Sequence, residues 1–294
     1  MKRSIVFRVD GDFGNRYGSG HILRCLKIYK ILKKNYKNKY NFFFFSKKNF
    51  GSLFIKLQTN EKVFYYKKNL KNFPINQNDI VVVDTLGIEN SFLKFLKTKN
   101  ISKIISFDET NISNYSSAII INGILFTKKK LFSKRKKIKI YQGLKYLLLD
   151  KEFVKNKKFK SLSKKKTALI CSGGNDKKNF TSKIINSIKN FKDLKIKIII
   201  GKGVSPSNSL HKFQNYKNIS LVKNQQNLFY HLNSSDLSFV SGGTIMFESI
   251  CCGIIPFVLE TDQNQKYAIK YFRKKNLISY LGRVDKTNSK TLSK

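Results

Sequence analysis

Short apolar runs alternate with stretches of helical periodicity along the chain. Ile5-Val6-Phe7 leads through Arg8-Val9-Asp10 into a glycine-broken loop that ends in Gly18-Ser19-Gly20-His21. Ile22, Leu23, Leu26, Ile28, Ile31 and Leu32 then recur at helical spacing, so the opening predicts strand, glycine loop and helix. Tyr40 to Ser46 and Lys62 to Tyr66 read as strands. Asp79 to Asp84, Asp-Ile-Val-Val-Val-Asp, reads as a fully buried strand ending in a carboxylate, with a helix around Asn90 to Thr98. Lys103 to Asp108 and Ala118 to Asn122 are further strands. Continuous apolar runs separated by helices predict a parallel sheet.

Lys128 to Lys139 and Lys155 to Lys166 are lysine-rich and poor in apolar residues, and the second predicts an inter-domain linker. The alternation then restarts. Strands are predicted at Thr167 to Cys171, Lys195 to Ile200, Ile219 to Val222, Asp236 to Val240 and Ile254 to Leu259. Helices are predicted at Asn179 to Phe191, Gln225 to Asn233, through Glu248 to Cys251, and about Gln265 to Lys275. The expected architecture is α/β: two Rossmann-like βα domains, 1–154 and 167–294, joined by 155–166 and facing a central cleft.

With 294 residues the chain is long enough for two domains or one large one, and its hydrophobic fraction of 41% can fill a core. No apolar run reaches the ~18 residues of a membrane span. Met1-Lys2-Arg3 is basic, but Arg8 and Asp10 interrupt the following apolar run too early for a signal peptide, which predicts a cytoplasmic protein. The four cysteines, Cys25, Cys171 and the pair Cys251-Cys252, have neither C-x-x-C spacing nor a histidine at metal spacing. They predict small buried hydrophobes, without a metal site or a disulfide framework.

Charge is the most unusual number, with 59 Lys+Arg against 17 Asp+Glu and a formal net of +42. Nearly all the excess is lysine, and it rises together with Asn, Ile and Phe while Trp is absent and Pro scarce. That joint bias is what an AT-rich coding sequence produces. Readers of nucleic acid favour arginine forks and aromatic platforms. Dispersed lysine predicts a solvated surface with non-specific polyanion affinity and no specific nucleic-acid partner.

Neither G-x-G-x-x-G nor G-x-x-x-x-G-K-[ST] occurs, and the second strand ends in Ser46-Lys47-Lys48 with no acid for a ribose. This disfavours NAD and excludes a P-loop kinase. The absence of G-x-S-x-G removes the common serine-hydrolase motif. Three glycine turns remain at strand-to-helix junctions: Gly18 to Gly20, Gly173-Gly174 and Gly242-Gly243. There backbone N–H groups can close on an anion with a helix dipole behind them, which fits a diphosphate-bearing ligand. Asp10, Asp84 and Asp108 end strands, and Glu248 follows the third turn where a carboxylate can grip ribose hydroxyls. Each is equally compatible with a cap or a surface ion pair. His21, one of three histidines, stands at a helix start beside such a turn. His211 and His231 lie in polar surroundings and are expected at the surface.

Phe7-Arg8-Val9-Asp10 followed by Gly18-Ser19-Gly20-His21-Ile22-Leu23-Arg24-Cys25 resembles the opening signature of a known family. This is the family of UDP-sugar hydrolases of pseudaminic-acid biosynthesis (PseG) and the related SpsG-type polysaccharide proteins. The likeness continues through Ser106-Phe107-Asp108-Glu109, through Gly143 to Phe153, and through Ser172-Gly173-Gly174-Asn175-Asp176 with Asn179 and Thr181. It ends with Ser241-Gly242-Gly243-Thr244, Glu248 and Asn264-Gln265. The resemblance implies a GT-B fold like that of MurG-type glycosyltransferases. It implies UDP on the second domain, with Gly242, Gly243, Thr244 and Glu248 around diphosphate and ribose. It further implies His21 at the anomeric centre, Asn264 placing the sugar, and no metal or other cofactor. The implied substrate-binding set also takes in Asp10, Gly18, Gly20, Arg24, Asp84, Gly173, Gly174, Asn175 and Gln265.

The implied reaction is loss of UDP from a diacetamido-trideoxy sugar, with water as nucleophile and inversion at C1. A helix start favours the neutral imidazole that such a base requires. PseG proper has Asp-His-Tyr-Gly where this chain has Asp84-Thr85-Leu86-Gly87, so the chain resembles the SpsG branch more. Longer members carry further C-terminal helices, so a short or truncated form is expected here. The competing expectations are a GT-B glycosyltransferase and a non-catalytic binding module.

Overall fold

In the first half, strands β1 (Arg3–Val9), β2 (Tyr40–Ser46), β3 (Lys62–Tyr65), β4 (Ile80–Asp84), β5 (Lys103–Phe107), β6 (Ile119–Asn122) and β7 (Lys139–Gln142) join into one parallel sheet. The computed structural model describes residues 2–12, 19–65, 70, 73–85, 90–107, 119–123, 138–155, 166–174, 176, 179–201, 210, 212–223, 227–288 and 292. Spatial order is β3-β2-β1-β4-β5-β6-β7. The direction of winding therefore reverses between β1 and β4, and such a switch point opens a crevice outside the carboxyl ends of the two strands.

Strand alternation decides what each face of β1 meets. Ile5, Phe7 and Val9 share a core with Ile22, Cys25, Leu26 and Tyr29 of helix α1 (Gly20–Tyr36). Val6 faces the opposite core, built with Phe92, Phe95 and Leu96 of helix α3 (Asn90–Thr98). Both faces are buried, which is why these strands read as unbroken apolar runs.

The second half repeats the design with β8 (Lys166–Cys171), β9 (Leu194–Ile200), β10 (Ile219–Lys223), β11 (Leu237–Ser241), β12 (Phe257–Glu260) and β13 (Ser279–Arg283). All its described pairings are parallel, in the order β10-β9-β8-β11-β12-β13, so its switch point lies between β8 and β11. Helix α5 (Phe180–Ile188) lays Phe180, Ile184, Ile185 and Ile188 on the core of Ala168, Ile170, Ile196 and Ile198. Helices α6 (Phe229–Asn233), α7 (Thr244–Cys251) and α8 (Lys266–Lys274) complete the unit.

The chain forms two compact units, Met1–Leu148 and Leu149–Lys294. Helix α4 (Lys151–Lys155) goes with the second unit, whereas the first domain was expected to extend to residue 154. Its Phe153 is buried and stacks edge-on against Phe229 at 5.4 Å. Apart from its two end residues, the expected linker 155–166 lies outside the described residues.

Four described α-helices and strands were not anticipated: helices α2 (Phe50–Thr59) and α4 and the edge strands β7 and β13. α5 ends at Ile188, three residues short of the expected Phe191, whose ring is exposed. Cys25, Cys171 and Cys252 are buried as expected, but Cys251 is exposed at the end of α7. No helix of the described residues is long and apolar enough to cross a membrane. Among them no cluster of His, Cys, Asp and Glu is arranged to hold a metal.

Candidate active site

The first glycine loop leaves β1 and re-enters at α1, which begins at Gly20 and places His21 in its first turn. β4 lies beside β1, with Val9 opposite Asp84. The topology thus brings the end of β4 against the start of α1, across the switch point. His21 Nδ1 lies 2.6 Å from Asp84 Oδ1. Arg24, one turn along α1, grips the same carboxylate as a fork, donating from Nε to Oδ2 and from Nη2 to Oδ1, both at 2.6 Å. The Cys25 thiol donates to Oδ2 at 3.9 Å, and the Arg24 guanidinium lies 5.4 Å from the Phe107 ring centroid.

The Asp84 side chain is 0% exposed, whereas those of His21 and Arg24 are each 19% exposed. Burial pushes the Asp84 carboxyl up, but the Arg24 charge and hydrogen bonds, followed by the His21 bond, hold it below its ordinary value. An ionised carboxylate only accepts, so the His21 proton belongs on Nδ1. Arg24 Nη2 also comes within 3.4 Å of Nδ1. A donor cannot bond a protonated nitrogen, so the shorter contact with Asp84 defines the tautomer. In the neutral ring the lone pair is then on Nε2. Burial and charge push the Cys25 thiol far up, so it stays protonated.

Asp10 forms a second pair at the end of β1. Arg8, fully buried and 5.5 and 5.8 Å from the ring centroids of Phe45 and Phe92, donates from Nη2 to Asp10 Oδ2 at 2.6 Å. The Lys47 backbone N–H donates to Oδ1 at 2.9 Å. Burial raises the Asp10 carboxyl, but Arg8 and then Lys47 bring it below the ordinary value. Asp84 and Asp10, both expected to touch substrate, therefore already have partners. Asp84 positions His21, and Asp10 ties β1 to the end of β2. Gly20 is exposed and a Cβ there would meet nothing within 4 Å. Gly18, Leu86, Asp108, Asn175 and His211 lie outside the described residues.

In the second unit, the Gly173-Gly174 turn follows β8 and the Gly242-Gly243 turn follows β11, so the two flank its switch point. A Cβ built on Gly173 or on Gly243 would lie 3.6 or 3.7 Å from Ser241 Oγ, which places this hydroxyl between the two turns. Gly173 has φ +99°, a conformation that favours glycine.

Gly242, expected to donate its N–H to an anion, donates it instead to Gln265 Oε1 at 3.2 Å. The same oxygen accepts from the Thr261 N–H at 3.0 Å. A Cβ on Gly242 would come within 2.6 Å of Ile269 Cδ1. Gln265 thus staples the turn, and Gly242 lets α8 approach. Gly243 caps α7 without a side-chain bond, and Thr244 is exposed in the first helical turn. Glu248 is buried one turn on, and Asn264 is exposed beside α8. Burial, together with the charges of Glu248 and Asp176, pushes the Cys171 thiol up to about 12. Asp176, raised by burial, accepts the Thr181 N–H at 2.9 Å and so secures the start of α5. His231 is partly buried, and burial and the Lys197 charge lower it.

No family model matches the chain. An uncharacterized protein of Methanocaldococcus jannaschii is 31% identical over 295 residues, 94% of this chain and 59% of the relative, so the chain spans little more than half of that protein. The spore coat polysaccharide biosynthesis protein SpsG of Bacillus subtilis is 26% identical, covering 96% of this chain and 85% of SpsG. The UDP-2,4-diacetamido-2,4,6-trideoxy-beta-L-altropyranose hydrolase of Campylobacter jejuni is 27% identical over 58% of this chain and 62% of its own length.

Among solved structures, Acinetobacter baumannii MurG matches with a TM-score of 0.59 at 10% identity, over 99% of this chain and 89% of MurG. The UDP-GlcNAc 2-epimerase of Neisseria meningitidis, solved bound to UDP-GlcNAc, matches with a TM-score of 0.57 at 14% identity, over 100% and 90%. Two parallel Rossmann-like sheets with these neighbours define the GT-B fold. Within that class, the chain is a homologue of SpsG and of the PseG-type UDP-sugar hydrolase.

Proposed function

We propose that the chain is a nucleotide-sugar hydrolase. It releases UDP from a UDP-2,4-diacetamido-2,4,6-trideoxy-hexose, with inversion at C1, in nonulosonate or surface-polysaccharide biosynthesis. The observation that carries this reading is His21 Nδ1 bound at 2.6 Å to a carboxylate with no exposure of its own. The arrangement leaves Nε2 as an oriented acceptor at the helix start, which suits a base acting on water.

In the proposed step, the water oxygen attacks C1 and its proton passes to Nε2. The bond from C1 to the β-phosphate oxygen breaks, and its electron pair leaves with UDP. A single displacement inverts C1. Asp84 supports the imidazolium that forms, and Arg24 keeps Asp84 ionised. The second unit takes the UDP. The turns Gly173-Gly174-Asn175 and Gly242-Gly243-Thr244 bind the diphosphate, Glu248 grips the ribose, and Asn264 helps place the sugar. Gly18, Gly20 and Asp10 shape the sugar side. The relative's name in Campylobacter jejuni supports the sugar class, and the bound ligand of the epimerase supports the nucleotide.

Phosphorus NMR with a panel of UDP-sugars and no acceptor tests this reading. UDP appearing with one of them supports hydrolysis. Glycosyl transfer from the same donor is the second reading, favoured by the likeness in fold to MurG. UDP that appears only once an acceptor is added decides for transfer.

A further inference from the structure

Helix α2 is apolar on a side that does not face the core. Its Gly51, Ser52 and Ile55 are buried, and Ile55 belongs to the core beneath α1. At 100° per residue, Phe50, Leu53 and Leu57 fall together on the other side. They are 61%, 48% and 70% exposed. Other large exposed apolar residues, such as Phe191, Tyr230 and Ile255, belong to separate elements, and scattered residues of that kind are ordinary. A stripe of three on one short helix is not.

Charge indicates what such a stripe meets. Lys47 and Lys48, both exposed, immediately precede the helix, and exposed Lys56 borders the stripe. An apolar ridge beside lysines matches an anionic bilayer, with acyl chains below and phosphate headgroups around. A net charge of +42 draws the whole chain to such a surface. It also opposes close pairing of two copies at this face.

We propose that the Phe50–Leu53–Leu57 face of α2 docks on an anionic lipid bilayer. The helix is fixed to the neighbourhood of the candidate active site. Asn49 Nδ2 donates to the Gly11 carbonyl at 2.9 Å, and a Cβ on Gly51 would lie 2.5 Å from Ile22 Cδ1, next to His21. Docking by this face holds the His21 end of the first sheet near the membrane surface. The proposal is independent of which reaction His21 serves.

The chain contains no tryptophan, so Leu57→Trp introduces a single local reporter. The control is Tyr230→Trp, at a residue 72% exposed on the second unit. Each variant is mixed with vesicles of phosphatidylcholine alone, or of phosphatidylcholine with phosphatidylglycerol. About 0.5 M salt is used, which shortens screening to ~4 Å and weakens purely electrostatic adsorption. The Leu57→Trp emission shifts to the blue and is quenched by brominated lipid only with the anionic vesicles, while the control does neither. The double variant Leu53→Ser/Leu57→Ser, altered only at exposed positions, sediments with those vesicles about tenfold less than the parent chain. Equal sedimentation, or an unshifted Leu57→Trp emission on bound protein, overturns the proposal. So does a blue shift without vesicles that grows with protein concentration, because a second copy then covers the stripe.

Discussion

His21 and Asp84 are 63 residues apart in sequence, yet Nδ1 and Oδ1 lie 2.6 Å apart across the switch point of the first sheet. The carboxylate is sealed from solvent and already holds a bidentate arginine. It acts on the chemistry only through the histidine it orients.

Replacing Asp84 with asparagine tests that relationship. The amide cannot stabilise an imidazolium by charge, and it leaves Arg24 without its counter-ion. Turnover should fall ~10²–10⁴-fold, the range for losing a positioned base. Removing one partner of a buried pair should also cost about 3–5 kcal/mol of stability. UDP affinity measured by calorimetry should stay unchanged, because UDP is assigned to the other unit. A matching loss of UDP affinity would place the defect in folding rather than in the histidine.

Acid stability should follow the Arg24–Asp84 pair. The folded-state value of Asp84 is depressed, so its contribution is complete above the ordinary carboxylate value near ~4 and is lost as pH falls through the folded value. In Arg24→Met the main countercharge is gone and burial dominates, so the folded value moves above the unfolded one. The sign then reverses, and this group adds stability as pH falls from neutrality toward about 5. Relative to the parent chain, whose Asp84 contribution is flat in that window, the Tm of Arg24→Met should therefore rise as pH falls through it. Parallel slopes would refute the assignment.

The glycines separate turns that need space from those that do not. A Cβ on Gly201 would lie 2.2 Å from the Gly173 carbonyl oxygen and 2.9 Å from that of Gly174. Gly201→Ala should destabilise the chain by about 1–3 kcal/mol and weaken UDP binding by displacing that turn. A Cβ on Gly20 meets nothing, so Gly20→Ala should be neutral or stabilising by ~0.4–1 kcal/mol. Denaturant midpoints of the two variants check the contrast.

Much of this was legible because both sheets are buried on two faces. β2, from Tyr40 to Ser46, and α3, from Asn90 to Thr98, coincide with the expected spans. Helix α2 was not legible, since Phe50, Leu53, Phe54, Ile55 and Leu57 surround it and no polar face marks a period. Its one local sign was the reciprocal cap of Asn49 and Ser52. β7 hid in a lysine-rich stretch because an edge strand need not be apolar: Lys139, Ile140 and Tyr141 are all exposed. β13 was obscured by Gly282, which sits at φ +107° where the β12–β13 register shifts. The candidate site was readable as residue types at strand ends. The partnership of Asp84 with His21 depends on strand order, which no local pattern encodes. Nor did the motif show that Gln265 points back onto the Gly242 turn.

That staple gives a further expectation. Gln265→Ala removes the acceptor shared by the Gly242 and Thr261 N–H groups, at 3.2 and 3.0 Å. Loss of about 1–2 kcal/mol of hydrogen bonding should weaken UDP binding roughly 5–30-fold. The pH profile of turnover should not move, since His21 is untouched. Gln265→Glu keeps an acceptor for both donors and should recover most of the affinity. Failure of Gln265→Glu to do so would mean that the amide N–H group matters instead.

The most direct measurement is the rate of UDP release in the absence of acceptor, comparing the parent chain with His21→Ala. Phosphorus NMR follows the release, and near-ultraviolet circular dichroism confirms an unchanged fold. Release by the parent chain and a loss of ~10²–10⁴-fold in the variant, with UDP still bound, are expected. Equal rates in the two proteins would contradict the role of His21.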